Sequence, residues 1–416
     1  MSSPTVVLLG ALDTKGAEYD FVRDRLHGSG IETVIVDFGV LGEPLITADI
    51  DRFAVARAGG TELESLAAAA DRGAAMAAMT QGAVAVVGDL VRSGRVQGAL
   101  ALGGTGGTSV AAAAFRDLPL GFPRLILSTA ASGSTEQYIG ETDLILAPSI
   151  VDIAGLNRIS ARMLANAAAA VAGMVTAAPV PERAAKPIVA ASMFGVTTPA
   201  VTRARERLEE LGYEVLVFHM TGSGGRAMES LIRQGYIDGV LDVTTTELAD
   251  NLVGGVFSAG PLRLTAAAET GTPQVVSVGA LDMVNFGPME TVPTQFRDRN
   301  LYVHNSSVTL MRTTAAECAE LGAELARKVS ASVGAAVVVL PRGGVSAIAV
   351  PGGPFYDAGA DEALFASIHE GLADSAVLVE SPRDINDPVL AVELADRLHE
   401  LISQRRPVAS TTPTGK

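Results

Sequence analysis

Four glycines crowd one short stretch of the chain, Gly103-Gly104-Thr105-Gly106-Gly107-Thr108, between the apolar run Ala99–Leu102 and an alanine-rich run reaching Phe115. Glycine lets backbone N–H groups approach a ligand with no Cβ in the way. Thr108 and Ser109 can cap the helix that follows, whose unpaired N–H groups and positive dipole end suit an anion. The pattern describes a cradle for a phosphate or carboxylate, or else a tight strand-to-helix turn. A second small-residue loop, Thr129–Thr135, follows the apolar run Arg124–Ser128. Two such loops on neighbouring strands are expected to face one crevice. Nearer the N-terminus, Asp13-Thr14-Lys15-Gly16 separates the run Thr5–Leu9 from a helical pattern beginning at Tyr19. Lys15 precedes Gly16, so this is not a P-loop, but its ammonium can neutralise a phosphate as a point charge.

The second half carries its own candidates. Gly222-x-Gly224-x-x-Ala227 fits the loose dinucleotide fingerprint, and Asp242 stands 20 residues beyond its first glycine, where an acid binding a ribose is expected. A dinucleotide-dependent oxidoreductase is therefore one reading. His219, Arg226 and Asp242 form a candidate catalytic set, with His219 as general acid or base or as a phosphate ligand. His304 follows another short strand. Asp242 and Asp282, each at an expected strand end, can share Mg2+ or substrate hydroxyls, or cap the next helix. Arg297, Arg299 and Arg312 suit either a bound anion or ordinary ion pairs. No HExxH, GxSxG or Cys/His pair is present, which disfavours zincin, hydrolase-elbow and thiol mechanisms. No site dedicated to a metal is expected.

The elements that position these residues read as strand, loop, helix, strand, repeated: the pattern of an α/β fold with two Rossmann-like domains, their mainly parallel sheets flanked by helices. Val40–Gly60 reads as a long loop, Thr61–Gly94 as two alanine-rich helices, and Ile150–Val175 as mostly helix. Periodicity lapses over the proline-bearing stretch Thr176–Pro187. We expect an N-terminal nucleotide-binding domain over residues 1–178, a second domain over 186–403, and a disordered tail over 404–416. Gly-Ala-Leu-Asp occurs at Gly10–Asp13 and again at Gly279–Asp282, which suggests two related domains facing one another.

Composition narrows the function classes. A net charge of −15, no tryptophan and only 4% aromatic residues speak against nucleic acid as a partner. With 48% hydrophobic and 19% charged residues the chain can bury sizeable cores. The sole cysteine, Cys318, forbids an intrachain disulfide and reads as a small buried hydrophobe. Neither a signal peptide nor an unbroken membrane span is evident, so a cytoplasmic protein is expected.

Several stretches together resemble one family: LLGALDTKGAEYDFVRDRL, LGGTGGT, FGVTTPAV, FHMTGSGGRAME with GVLDVTTTELADNLVGGVFSAG, VSVGALDMVNFGP, and GGVSAI with GGPFYDAGAD. It is the family of ATP-binding proteins of bacteria, fungi and plants that includes the N-terminal inhibitory region of the tomato mosaic virus resistance protein. The likeness runs to about Leu401. The bacterial members look like proteins of unassigned activity. The resemblance implies two Rossmann-like domains, a homodimer, and ATP, alone or with Mg2+, on Gly103, Gly104, Thr105, Gly106, Gly107 and Thr108, with Asp13, Thr14 and Lys15 beside them. Two functions remain open: a nucleotide-binding module, or an enzyme closing on a small phosphorylated or carboxylated metabolite between its domains.

Overall fold

The computed structural model describes residues 3–69, 71–178 and 186–404, and the chain divides between Pro181 and Glu182 into two compact units. Most of the proline-bearing stretch and the tail beyond Gln404 lie outside the described residues. The first unit runs β1 (Thr5–Gly10), α1 (Leu12–His27), β2 (Glu32–Asp37), α2 (Arg52–Ala58), α3 (Leu63–Ala69), α4 (Arg72–Arg92), β3 (Gly98–Gly103), α5 (Thr105–Arg116), β4 (Arg124–Ser128), α6 (Glu136–Ile139), β5 (Ile145–Pro148) and α7 (Ser160–Thr176). Its strands are all parallel, in the order β2-β1-β3-β4-β5. The central strands are apolar throughout because helices cover both faces. Ala99 and Ala101 of β3 face Val110 and Phe115 of α5 and Met79 of α4, whereas Leu100 and Leu102 face Tyr19 and Val22 of α1 and Val171 of α7. Small residues let α2 and α4 cross closely: a Cβ on Gly82 would stand 1.9 Å from the Val55 carbonyl oxygen. Among the described residues α4, over Gly73–Arg92, is the one helix long and apolar enough to cross a membrane by length and composition.

The second unit runs β6 (Ile188–Met193), α8 (Thr198–Glu210), β7 (Glu214–His219), α9 (Ser223–Arg233), β8 (Gly239–Thr244), α10 (Glu247–Val253), α11 (Ala266–Thr270), β9 (Gln274–Gly279), β10 (Met283–Phe286), β11 (Leu301–Asn305), β12 (Val308–Arg312), α12 (Ala315–Ser330), β13 (Ala336–Pro341), α13 (Ala358–Gly371), β14 (Ala376–Ser381) and α14 (Pro388–Gln404). Six strands form a parallel sheet in the order β7-β6-β8-β9-β13-β14, the same winding as in the first unit with one strand more. Both units are thus α/β with parallel sheets flanked by helices, as the pattern predicts.

Several local expectations are corrected. A small antiparallel sheet, β10-β12-β11, interrupts the second unit. The short strand read at His304 is its β11, whereas β10 and β12 alternate too briefly to stand out from loop in a sequence. Residues 150–159 are loop rather than helix, and α2 breaks the loop expected over Val40–Gly60, with Asp51 accepting the Ala54 N–H at 2.8 Å as its cap. The repeated Gly-Ala-Leu-Asp is no structural repeat. The first copy follows the first strand of its sheet and opens a helix, whereas the second follows the fourth strand of its sheet and leads into β10 through Ala280 at a φ of 60°.

Candidate functional site

In a winding of this order the chain leaves β1 on one side for β2 and later returns on the other side to β3. The crevice at the carboxyl ends of β1 and β3 is where open α/β sheets bind ligands. A cavity of about 390 Å3 lies there. One wall is Gly104-Thr105-Gly106-Gly107, a second is Asp13-Thr14-Lys15, and the third runs from Phe38 to Leu41 after β2. Met76, Leu102 and Ala11 complete an apolar lining. The segment expected to be a six-residue loop is in fact mostly helix: α5 starts at Thr105, with Gly104 as its N-cap.

The helices at the three glycine-bearing motifs singled out in the sequence, α1, α5 and α9, differ at their N-termini in one respect. At α1 the Leu12 N–H donates to Asp37 Oδ1 at 3.0 Å, and Gly39 N–H to the same oxygen at 2.8 Å. At α9 a buried Glu247 accepts the N–H groups of Gly222 at 2.7 Å and Gly225 at 3.1 Å through Oε1. Both ends carry an internal carboxylate where an anion would sit. The N-terminus of α5 carries none. Gly104 offers no side-chain cap, and among the described residues nothing accepts the N–H groups of Thr105, Gly106 or Gly107. Four orphan donors are the rule at a helix start, and water or a ligand must meet those that no cap satisfies. A Cβ added to Gly106 or Gly107 would meet nothing nearer than 3.7 Å, so side chains there would grow into open cavity.

The remaining polar groups are held in place. Asp13 accepts the N–H groups of Leu41 at 2.8 Å and Gly42 at 3.2 Å, tying the third wall to the second. The Lys15 ammonium donates to the Ile153 carbonyl, and its backbone leaves helical geometry at φ −132°, ψ 19°. Asp37 is 1% exposed, and burial pushes its carboxyl up despite the two N–H donors.

Tyr19 shapes the crevice from below. Its ring lies against Gly10, where any Cβ would collide at 2.2 Å, and its hydroxyl donates to the Leu9 carbonyl. The same oxygen accepts the Leu102 N–H at 2.8 Å. The β1–β3 ladder stops at the pair Leu9–Ala101, and the phenol takes over beyond it. Burial drives its pKa far upward, so it remains a neutral donor.

The structure brings Asp13, Thr14, Lys15, Gly104, Thr105, Gly106 and Gly107 to this one cavity. It does not bring Gly103 or Thr108. Gly103 ends β3 where a Cβ would press within 3.1 Å of Gly107 Cα, so its role is strand-to-helix packing. Thr108 is fully buried, and its hydroxyl bonds Gly104 O and Ser128 Oγ instead of capping α5. The second small-residue loop lines a separate hollow with Thr129 and Ser132. Sequence reasoning missed Phe38, Val40, Leu41 and Met76, which carry no signal beyond hydrophobicity, and Tyr19, whose spacing marked it only as a helix face.

The second unit's candidates fare differently. Asp242 is 1% exposed, and both its oxygens take the Arg263 guanidinium, at 2.6 and 2.7 Å. It therefore reaches neither a ribose nor a substrate, and with Glu247 filling the α9 cradle the dinucleotide reading is not sustained. Gly224 is required for packing alone, since a Cβ would lie 1.9 Å from His219 O. His219 is exposed, its ring 5.5 Å from that of Phe194, and Arg226 donates to Ser258 O at 3.2 Å. Asp282 is buried in a different network, bonded by Ser346 Oγ at 2.8 Å, its carboxyl pushed up to about 6 by desolvation. Arg299 pairs with Glu317 and Arg312 with Asp361, while Arg297 bonds a backbone carbonyl. Cys318 is fully buried, as expected, and His304 is exposed on β11.

Two family models cover almost the whole chain: the N-terminal domain of the uncharacterised protein family UPF0261 over residues 4–179, and its C-terminal domain over residues 186–402. The chain belongs to UPF0261. A UPF0261 protein of Clostridium tetani is 48% identical, covering 96% of this chain and 99% of its own length. One of Rhizobium meliloti is 43% identical, over 93% and 96%. The ToMV resistance protein Tm-1 of Solanum lycopersicum is 41% identical over 98% of this chain, which spans 57% of that protein. Among solved structures, a UDP-N-acetylglucosamine 2-epimerase is 12% identical with a TM-score of 0.25, over 66% of this chain and 79% of that one. A likeness so low carries no functional argument. The family's activity is unassigned.

Proposed function

We propose that the first unit binds a nucleotide, ATP in the first instance, in the cavity between β1 and β3. The observation that supports this most is the N-terminus of α5: three backbone donors with no internal partner, facing a cavity of about 390 Å3 beside a lysine. Phosphate oxygens would take the N–H groups of Thr105, Gly106 and Gly107, with the α5 dipole and Lys15 offsetting their charge. The base would lie on the apolar side, against Phe38, Val40, Leu41 and Met76. The volume falls within the range of small-molecule sites.

No group of three or more acidic, histidine or cysteine side chains among the described residues could hold a metal ion. Mg2+ would accordingly arrive on the phosphates, as it commonly does, with few protein ligands of its own. ATP binding without turnover would make the protein a nucleotide-dependent binding module, whereas hydrolysis or transfer would make it an enzyme.

The test is calorimetric titration of ATP into the wild type and Gly106→Val. Outside the helix's own backbone an added Cβ meets nothing nearer than Met76 Cε at 3.8 Å, and circular dichroism checks that the variant is folded. Affinity is expected to fall by about tenfold or more, on the order of 1.4 kcal/mol. Unchanged affinity in a folded variant would refute the site.

A further inference from the structure

Beyond the nucleotide cavity, the carboxyl edge of the first sheet holds a second hollow of about 290 Å3, at the ends of β4 and β5. Its lining is Thr129, Ser132, Ser149, Ile150, Val151 and Asp152. Its chemistry is unlike that of the first cavity. It presents three hydroxyls and a carboxylate, with no cation among these residues. The side chains of Thr129, Ser132 and Asp152 make no hydrogen bond to any described residue. Ser149 is 2% exposed, and its hydroxyl donates to Val151 O at 2.7 Å, which leaves its lone pairs to accept.

The backbone here is strained. Val151 N–H donates to Ser149 O at 2.7 Å, closing a three-residue turn about Ile150, whose φ is 64°. A β-branched residue held at positive φ costs on the order of 1–3 kcal/mol. Ile150 is 75% exposed, so burial of its side chain does not offset that cost. The strain is retained at the rim of the hollow.

We propose that this hollow is a second ligand site, and that its ligand is a sugar or polyol. Hydroxyls that both donate and accept, beside a carboxylate that only accepts, match a molecule rich in hydroxyl groups. Asp152, unpaired by any lining cation, repels an anion, which separates this site from the phosphate cradle. The two sites are neighbours: a Cβ on Gly104 in the first would stand 3.6 Å from Thr129 Oγ1 in the second, and Lys15 bonds the residue after Asp152. The first unit would thus take a nucleotide and a polyhydroxylated molecule side by side.

The test is ligand-detected NMR with D-ribose and myo-inositol at millimolar concentration and no nucleotide, on the wild type, Ser132→Leu and Asp152→Asn. Saturable binding of at least one probe is expected in the wild type, weakened about tenfold in Ser132→Leu by lost volume and severalfold in Asp152→Asn by the lost acceptor. The exposed position of Asp152 keeps that variant folded. No saturable signal from either probe, or binding unchanged in both variants, would overturn the proposal. ATP is titrated separately against the same three proteins. A wild type that binds a polyol but not ATP sinks the nucleotide reading alone, and a wild type that binds ATP but neither polyol sinks this one alone.

Discussion

The Tyr19 hydroxyl does at one point what paired backbone groups do elsewhere in the sheet. Donating to Leu9 O and accepting from Leu102 N–H, it satisfies two strands that no longer reach each other, and so holds the crevice floor open. Tyr19→Phe leaves that N–H and that carbonyl buried without a partner, which costs about 1–3 kcal/mol. Urea denaturation should register a loss of that size, and ATP affinity should fall with it while the variant remains folded. Stability equal to the wild type would show that the phenol is dispensable. Little of this was legible beforehand. The glycines at 104, 106 and 107 pointed from the sequence to the uncapped start of α5, because few other reasons gather so many at one strand end. Tyr19, by contrast, reads as one more apolar position on a helix face, since its partners lie 10 and 83 residues away.

At the level of elements, the second unit shows what a glycine loop becomes when the chain supplies its own anion. Glu247 sits at the start of α10, yet its carboxylate caps α9 and pairs with Arg263, which also joins Asp242 and Glu229. Arg263 is fully buried, and removing a member of such a network strands the others. Glu247→Ala should therefore cost about 3–5 kcal/mol in denaturant unfolding. A loss within about 0.5 kcal/mol, the scale of an exposed site, would contradict the account. The fingerprint at Gly222–Ala227 looked like a dinucleotide site because motif spacing records where backbone donors lie. It cannot record that a carboxylate 25 residues on from Gly222 has already taken them. Nothing in the run Pro261–Thr265 marks Arg263 as the buried centre of that network.

Taken as a whole, the molecule repeats one winding twice, and the site follows from the winding. Apolar strands flanked by helices were readable from periodicity alone, as were both parallel sheets. Of the antiparallel insertion only the short strand at His304 was legible; β10, β12 and the pairing were not, because four- and five-residue strands carry too little pattern. The sheet order decides which loops meet, and it brings the turn after β1 to the start of α5 across about 90 residues of sequence. The most direct test is a crystal grown with ATP at saturating concentration. The account predicts phosphate oxygens within about 2.7–3.2 Å of the backbone nitrogens of Thr105, Gly106 and Gly107, with Lys15 nearby. Nucleotide density elsewhere, with those three nitrogens bonded only to solvent or to the protein itself, would contradict it.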